Sequence, residues 1–147
     1  MSPERRSYSN VYRWVRDRRF SLGESALSVW EREFYTLAWF DSLVGDGGLA
    51  QGLICADCEP GLIVELVTKI GAHQRADLVS RFIQMIPAEV LEAGGHAIGR
   101  FIFESQRCEE GSLTTEHYSQ QDEFRRRMVE FARQNHAPEE AWHYERR

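Results

Sequence analysis

From Leu27 to Val44 the apolar residues Leu27, Trp30, Phe34, Leu37 and Val44 return at three-, four- and seven-residue intervals, the period of one helix face. A strand needs alternation with period two, so this segment is helical. The spacing predicts a long helix from about Leu22 to Val44, with Ser21 and Glu24 at capping-box spacing at its start. Ser28, Arg32 and Tyr35 lie on the opposite side, while Trp39 and Phe40 widen the apolar arc, which implies burial on more than one side. Asp41 falls on the apolar line itself and needs a polar partner there, or a thinning of the core near the helix end. The run stops at "VGDGG". Gly47 and Gly48 can adopt positive φ and end the helix, Asp46 can cap the next segment, and Gln51 can tie loose backbone groups. A nucleotide loop would need a preceding strand and a phosphate-binding lysine, so these glycines read as helix punctuation.

The rest of the chain repeats the helical pattern. Ser7 or Ser9 can cap a short first helix bearing Val11, Tyr12 and Val15, and "LAQGLICAD" reads as a further short helix. Pro60 suits a first helical turn, followed by the stripe Ile63, Leu66, Val67 and Ile70 and a left-handed cap at Gly71. A second stripe, Ala76, Val79, Phe82, Ile83 and Ile86, stops at Pro87, so the two segments form a helical hairpin across "GAHQ". In 97–104 Phe101 and Phe103 alternate with Arg100, Ile102 and Glu104, so this stretch reads as helix or as a short extended segment. "EAGGH" at Glu92 to His96 reads as a loop. Ser119 and Asp122 stand at capping-box spacing, and Phe124, Met128 and Phe131 mark a last helix to about Asn135. The expectation is an all-α fold: a basic N-terminal arm or helix over 1–23, then a compact helical domain of about six helices over 24–147. A chain of 147 residues can bury one core of this kind without disulfides or metals.

Charge restricts the partners. Net charge is −5, but residues 1–23 hold six arginines against two acids, whereas 24–66 hold eight acids against Arg32 alone. An acidic middle repels phosphates and attracts basic partners, so direct nucleic-acid binding is not expected. No apolar stretch approaches a membrane span, and the polar, basic start does not resemble a secretory signal, which places the chain in the cytoplasm with no membrane partner. The odd cysteine count fits a reducing compartment. Cys55 and Cys58 form one CxxC, which supports a metal- or redox-linked alternative; a tetrahedral site would need a second ligand pair, which only the fold could assemble from His73, His96 and Cys108. His73, His96, His117, His136 and His143 are scattered and pair with no nucleophile motif, so neither enzyme activity nor a cofactor is expected. The tryptophans fall mostly among apolar residues and fit helix packing better than a base-stacking platform, with Trp14, flanked by arginines, the exception.

Two local signatures resemble the DNA-mimic protein C-terminal domain family. Its aromatic-rich helix leads into an "EVNNGGFxQF"-like segment, matched here by Val44, Gly47, Gly48 and Gln51, and its later "IGA" is matched by Ile70, Gly71 and Ala72. The similarity is best over 26–87 and looser near Asp122 and Phe124. Leu43 stands in place of the motif's acid, Gly45 and Asp46 in place of its asparagines, and Leu49 and Gly52 in place of its aromatics. The resemblance implies an all-α, non-enzymatic protein whose acidic surface occupies a basic partner, a DNA-binding regulator. A toxin or nuclease held in the manner of an immunity protein is the alternative, and a homodimer is a further expectation. Glu24, Glu31, Glu33, Asp41, Asp46, Asp57 and Glu59, with Glu65, are the carboxylates eligible for that surface.

Overall fold

The computed structural model describes residues 1–56 and 58–145, and every regular element among them is helical. Helix α1 (Pro3–Leu22) starts at Ser2, whose hydroxyl accepts from the Arg5 N–H at 3.2 Å. Ser7 and Ser9, the expected caps, lie inside it, because Pro3 already has a helical φ and lacks an N–H to satisfy. Gly23, at φ 87°, then breaks the chain, and a 3₁₀ turn (Glu24–Ala26) comes next. The expected helix from Leu22 therefore begins later, as α2 (Val29–Cys55). Its capping box is Ser28 with Glu31: the Ser28 hydroxyl accepts from the Glu31 N–H at 3.4 Å and donates to the Glu31 carboxylate at 3.0 Å. Ser21 and Glu24 form no such box, since Ser21 still belongs to α1.

After α2 come α3 (Pro60–Lys69) and α4 (His73–Gln84), the expected hairpin, with Gly71 at φ 82° between them. The N–H groups of Gly71 and Ala72 close α3 onto the carbonyls of Thr68 (3.0 Å) and Val67 (3.2 Å). Short helices α5 (Ala88–Ala93) and α6 (Gly95–Phe101) meet at Gly94, φ 96°, so "EAGGH" is a tight break rather than an open loop. A π-helical turn (Ile102–Gln106) leads into α7 (Arg107–Ser119), α8 (Gln121–Gln134) and the short α9 (Glu139–Trp142).

The extended segment considered for 97–104 is thus helical. Ile98 and Ile102, four apart, bury together, and Gly95 and Gly99 let α6 press against Ile54, whose side chain would lie 2.9 and 3.3 Å from a Cβ added at either glycine. Side chains four apart share a helix face, and this contact rewards that spacing over alternation. The expected Ser119 cap is also absent, for the Ser119 hydroxyl donates back to the Glu116 carbonyl at 2.6 Å. Tyr8, Val11, Trp14 and Val15 of α1 enter the same core as Phe34, Leu37 and Val44 of α2, Phe82 of α4, and Phe124 and Met128 of α8. Residues 1–23 therefore supply one wall of that core.

Candidate functional site

A buried carboxylate organises the centre of the molecule. Asp41, 6% exposed, lies on the core-facing line of α2 and finds three donors. Arg75 Nη1 on α4 donates to Oδ1 at 3.2 Å, Gln121 Nε2 at the start of α8 donates to Oδ2 at 2.7 Å, and the Tyr8 hydroxyl on α1 donates to Oδ2 at 3.4 Å. Arg75, 2% exposed, uses its other nitrogens on the His117 carbonyl and the Gln121 side-chain oxygen (2.9 Å each) and on Gln120 (3.4 Å), and stacks 4.5 Å from the Phe124 ring centroid. Burial pushes the Asp41 carboxyl up, against the pull of Arg75 and Gln121, and pushes Arg75 down. Burial, with Asp41 second, likewise raises the Tyr8 phenol well above its ordinary value. His117 Nε2 lies 3.6 Å from Asp41 Oδ1, and neither ring nitrogen has a hydrogen-bond partner. Burial first, then the Arg75 charge, drops this imidazole to about 3, so it stays neutral near pH 7.

The "IGA" residues explain how Arg75 gets there. Ile70 and Ala72 are buried on either side of Gly71, and the tight turn they make starts α4 where its first turn points Arg75 at Asp41. Arg75, Val79 and Phe82 sit at i, i+4 and i+7, so the arginine lies on α4's buried stripe.

The glycines of "VGDGG" form the second local device. Gly48 alone leaves helical geometry, at φ 90° and ψ 179°, and α2 breaks there before resuming at Leu49. The caps come from α7 and not from Asp46 or Gln51. Leu49 N–H donates to Thr114 Oγ1 at 3.2 Å and Ala50 N–H to Glu110 Oε1 at 3.3 Å, while the Tyr118 hydroxyl donates to the carbonyls of Val44 (3.3 Å) and Gly45 (3.4 Å). Glu110, Thr114 and Tyr118 are spaced four apart, so one line of α7 serves both ends of the break. A side chain at Gly48 would place its Cβ 2.5 Å from Glu110 Oε1, and Gly47 is kept small by the Gln51 side chain, 2.9 Å away.

The acids expected on one surface are divided by this architecture. Glu31 is buried and accepts from Arg18 Nε at 2.9 Å as well as from Ser28. Glu33 accepts from Lys69 Nζ at 2.8 Å, and Asp41 belongs to the buried network. Glu24, Asp46 and Glu59 are exposed, and Asp57 lies outside the described residues. The break at Gly48 is held against α7 through Glu110, and Glu109, the next residue along α7, is exposed. Cys55 and Cys108 are exposed, Cys58 is half-buried, and among the described residues no group of three or more His, Cys, Asp or Glu could hold a metal. His73, His96, His136 and His143 are exposed. No described helix is long and apolar enough to cross a membrane.

Sequence reasoning did not find Arg75, Gln121, Tyr8 and His117 as Asp41's surroundings, nor Thr114 and Glu110 as caps. The one readable signal was a charged residue on each of two apolar stripes, Asp41 and Arg75, which invites pairing them. Fold and site together define an all-α domain built on a kinked central helix and a buried ion network centred on Asp41 and Arg75. The chain belongs to the family described as DMP19-like protein, whose model matches residues 25–135, from the 3₁₀ turn to the end of α8. No curated protein and no solved structure matches the chain.

Proposed function

We propose that the protein is a non-enzymatic DNA-mimic-like binding protein, which holds a basic protein partner of the DNA-binding-regulator kind against its exposed carboxylates. Membership of the DMP19-like family supports the reading. The observation that carries it is the corner at the α2 break, where Asp46 stays exposed and unburdened by the ion pairs among the described residues, on a turn that α7 fixes through Glu110 and through Tyr118, half exposed and hydrogen-bonded to the Gly45 carbonyl; Glu109, next to Glu110 on α7, is exposed as well. Carboxylates fixed on rigid helices present the negative potential that a phosphate-binding surface accepts, and a partner would be drawn in by long-range attraction. Glu31, Glu33 and Asp41 are engaged within the fold, so on this reading they shape the surface and Asp46, Glu109, Glu24 and Glu59 meet the partner. The test is affinity capture of a partner at low and elevated salt with the native protein and with Asp46→Lys/Glu109→Lys. A basic protein retained by the native chain, lost at elevated salt and lost in the variant, supports the reading. Equal retention by the variant overturns the assignment of this corner, and capture of no basic protein overturns the mimic role.

A further inference from the structure

The face opposite in charge lies along α1. Arg5, Tyr12, Arg16 and Arg19 fall at i, i+7, i+11 and i+14, one line down the helix. Against that line α2 sets Tyr35 and Trp39, giving a row of rings: Tyr8 to Tyr12 at 6.4 Å, Tyr12 to Tyr35 at 6.2 Å, and Tyr35 to Trp39 at 6.4 Å with planes only 8° apart. Tyr12, Tyr35 and Trp39 are half-buried, so part of each side chain reaches the surface. The guanidinium of Arg16 lies 6.0 Å from the Tyr12 ring and that of Arg19 lies 4.6 Å from Tyr35. Arg16 also touches its neighbour Asp17 at 3.3 Å, while Arg19 and Trp39 border a groove that Glu24 also lines. In the fold, then, aromatic rings do alternate with basic groups, which the linear sequence hid because they come from two helices.

We propose that this α1–α2 face binds short single-stranded nucleic acid, with Trp39, Tyr35 and Tyr12 as stacking surfaces and Arg16 and Arg19 as phosphate partners. An arginine beside a ring can still turn N–H groups toward a phosphate oxygen; Arg16 does so already toward Asp17, a contact that a phosphate would compete with. A row of rings flanked by cations is the chemistry that takes successive bases and their backbone together. An acidic peptide would use the arginines and leave the rings idle. A duplex would need many phosphates neutralised over a broad surface, which a chain of net charge −5 does not offer. The site does not include Asp46 and does not depend on the mimic reading; Glu24, which that reading gives to the partner, lies at its edge.

The test is fluorescence polarisation of a labelled short oligothymidylate with the full chain at about 50 mM salt, repeated at about 200 mM, with tryptophan emission read in parallel. The expected result is saturable binding that weakens several-fold as salt rises, with quenching of tryptophan emission. Trp39→Leu should weaken binding about tenfold or more, and Trp39→Tyr, which keeps a ring, should hold most of the affinity. Arg16→Ala/Arg19→Ala should weaken it comparably and flatten the salt dependence, with each variant's fold checked by circular dichroism. Absence of saturable binding at low salt overturns the site. So does unchanged affinity in folded Arg16→Ala/Arg19→Ala or Trp39→Leu. Displacement of the oligonucleotide by polyglutamate at equal charge concentration would reassign the face to acidic peptides and also overturns it.

Discussion

Replacing Arg75 by alanine isolates the central ion network. The substitution removes the donor to Asp41 Oδ1, three further hydrogen bonds, to the His117 carbonyl and to the Gln121 and Gln120 side chains, and the stack on Phe124. Asp41 keeps Gln121 and Tyr8 but loses the cation paired with it in the core, and Arg75 itself is only 2% exposed, so water cannot take its place without opening the packing. Breaking a buried pair on one side costs about 3–5 kcal/mol. For a domain of this size that lowers Tm by roughly 10 °C or more. Urea unfolding at fixed pH measures it, and Asp41→Leu, Arg75→Leu and the double Asp41→Leu/Arg75→Leu form the cycle that tests the coupling. The pair should be far less destabilised than the sum of the single changes, because no charge is left buried alone.

The same variant carries a pH signature. Burial already raises Asp41 above its ordinary value of 3.8, and without Arg75 the strongest opposing influence is gone, so the folded carboxyl rises further. Between the ordinary and the raised value the folded variant holds a proton that the unfolded chain has released. Its stability therefore falls as pH rises through that window and is recovered as pH falls. The deficit of Arg75→Ala should be largest in alkali and shrink as pH falls toward the ordinary carboxylate range. A loss below about 1 kcal/mol, additive single changes, or a deficit that grows in acid would refute the buried-pair argument.

Three other outcomes are expected from the same contacts. His117, held at about 3 against an ordinary 6.5, takes up its proton only on unfolding between those values, so the native protein should lose stability as pH falls from 6.5 toward 3; His117→Phe should flatten this slope in acid unfolding curves. Gly48→Ala, forced into φ 90° with its Cβ against Glu110, should cost about 1–3 kcal/mol, whereas Gly45→Ala, helical and with open space around it, should gain about 0.5–1 kcal/mol in the same urea assay. Thr114→Val, which leaves the Leu49 N–H without its side-chain acceptor, should cost about 1 kcal/mol by thermal melting.

Helical period and glycine position made most of the fold legible. The hairpin of α3 and α4, with Pro60 at its start and Gly71 between its helices, needed only local rules. Boundaries were missed where two local signals competed: Ser21 and Ser28 both precede a glutamate by three, and Gly23, by breaking the chain at positive φ, decided for the second. The π turn and α6 were obscured because the phenylalanines at 101 and 103 imitate strand alternation while the buried residues are the isoleucines at 98 and 102. The site was harder to read because its parts come from separated helices. Asp41 announces a missing partner, but whether that partner is Arg75, 34 residues on, depends on the turn at Gly71 and on how α4 packs against α3 and α7.

Burial also changes what the acid-rich stretch can mean. As a composition, 24–66 is a single negative block. In the fold, Glu31 meets Arg18, Glu33 meets Lys69 and Asp41 meets Arg75, each cation coming from outside the block. These carboxylates hold α1, α3 and α4 to α2, and their charge is largely cancelled within the molecule. The exposed carboxylates that remain in and beyond this block include Asp46, Glu24, Glu59 and Glu109, and on the proposed function these are the ones that would steer a partner. Charge reversal at Glu31 or Asp41 would therefore act first on stability, whereas, on the proposed function, reversal at the exposed Asp46 or Glu109 would act on association rate and its salt dependence.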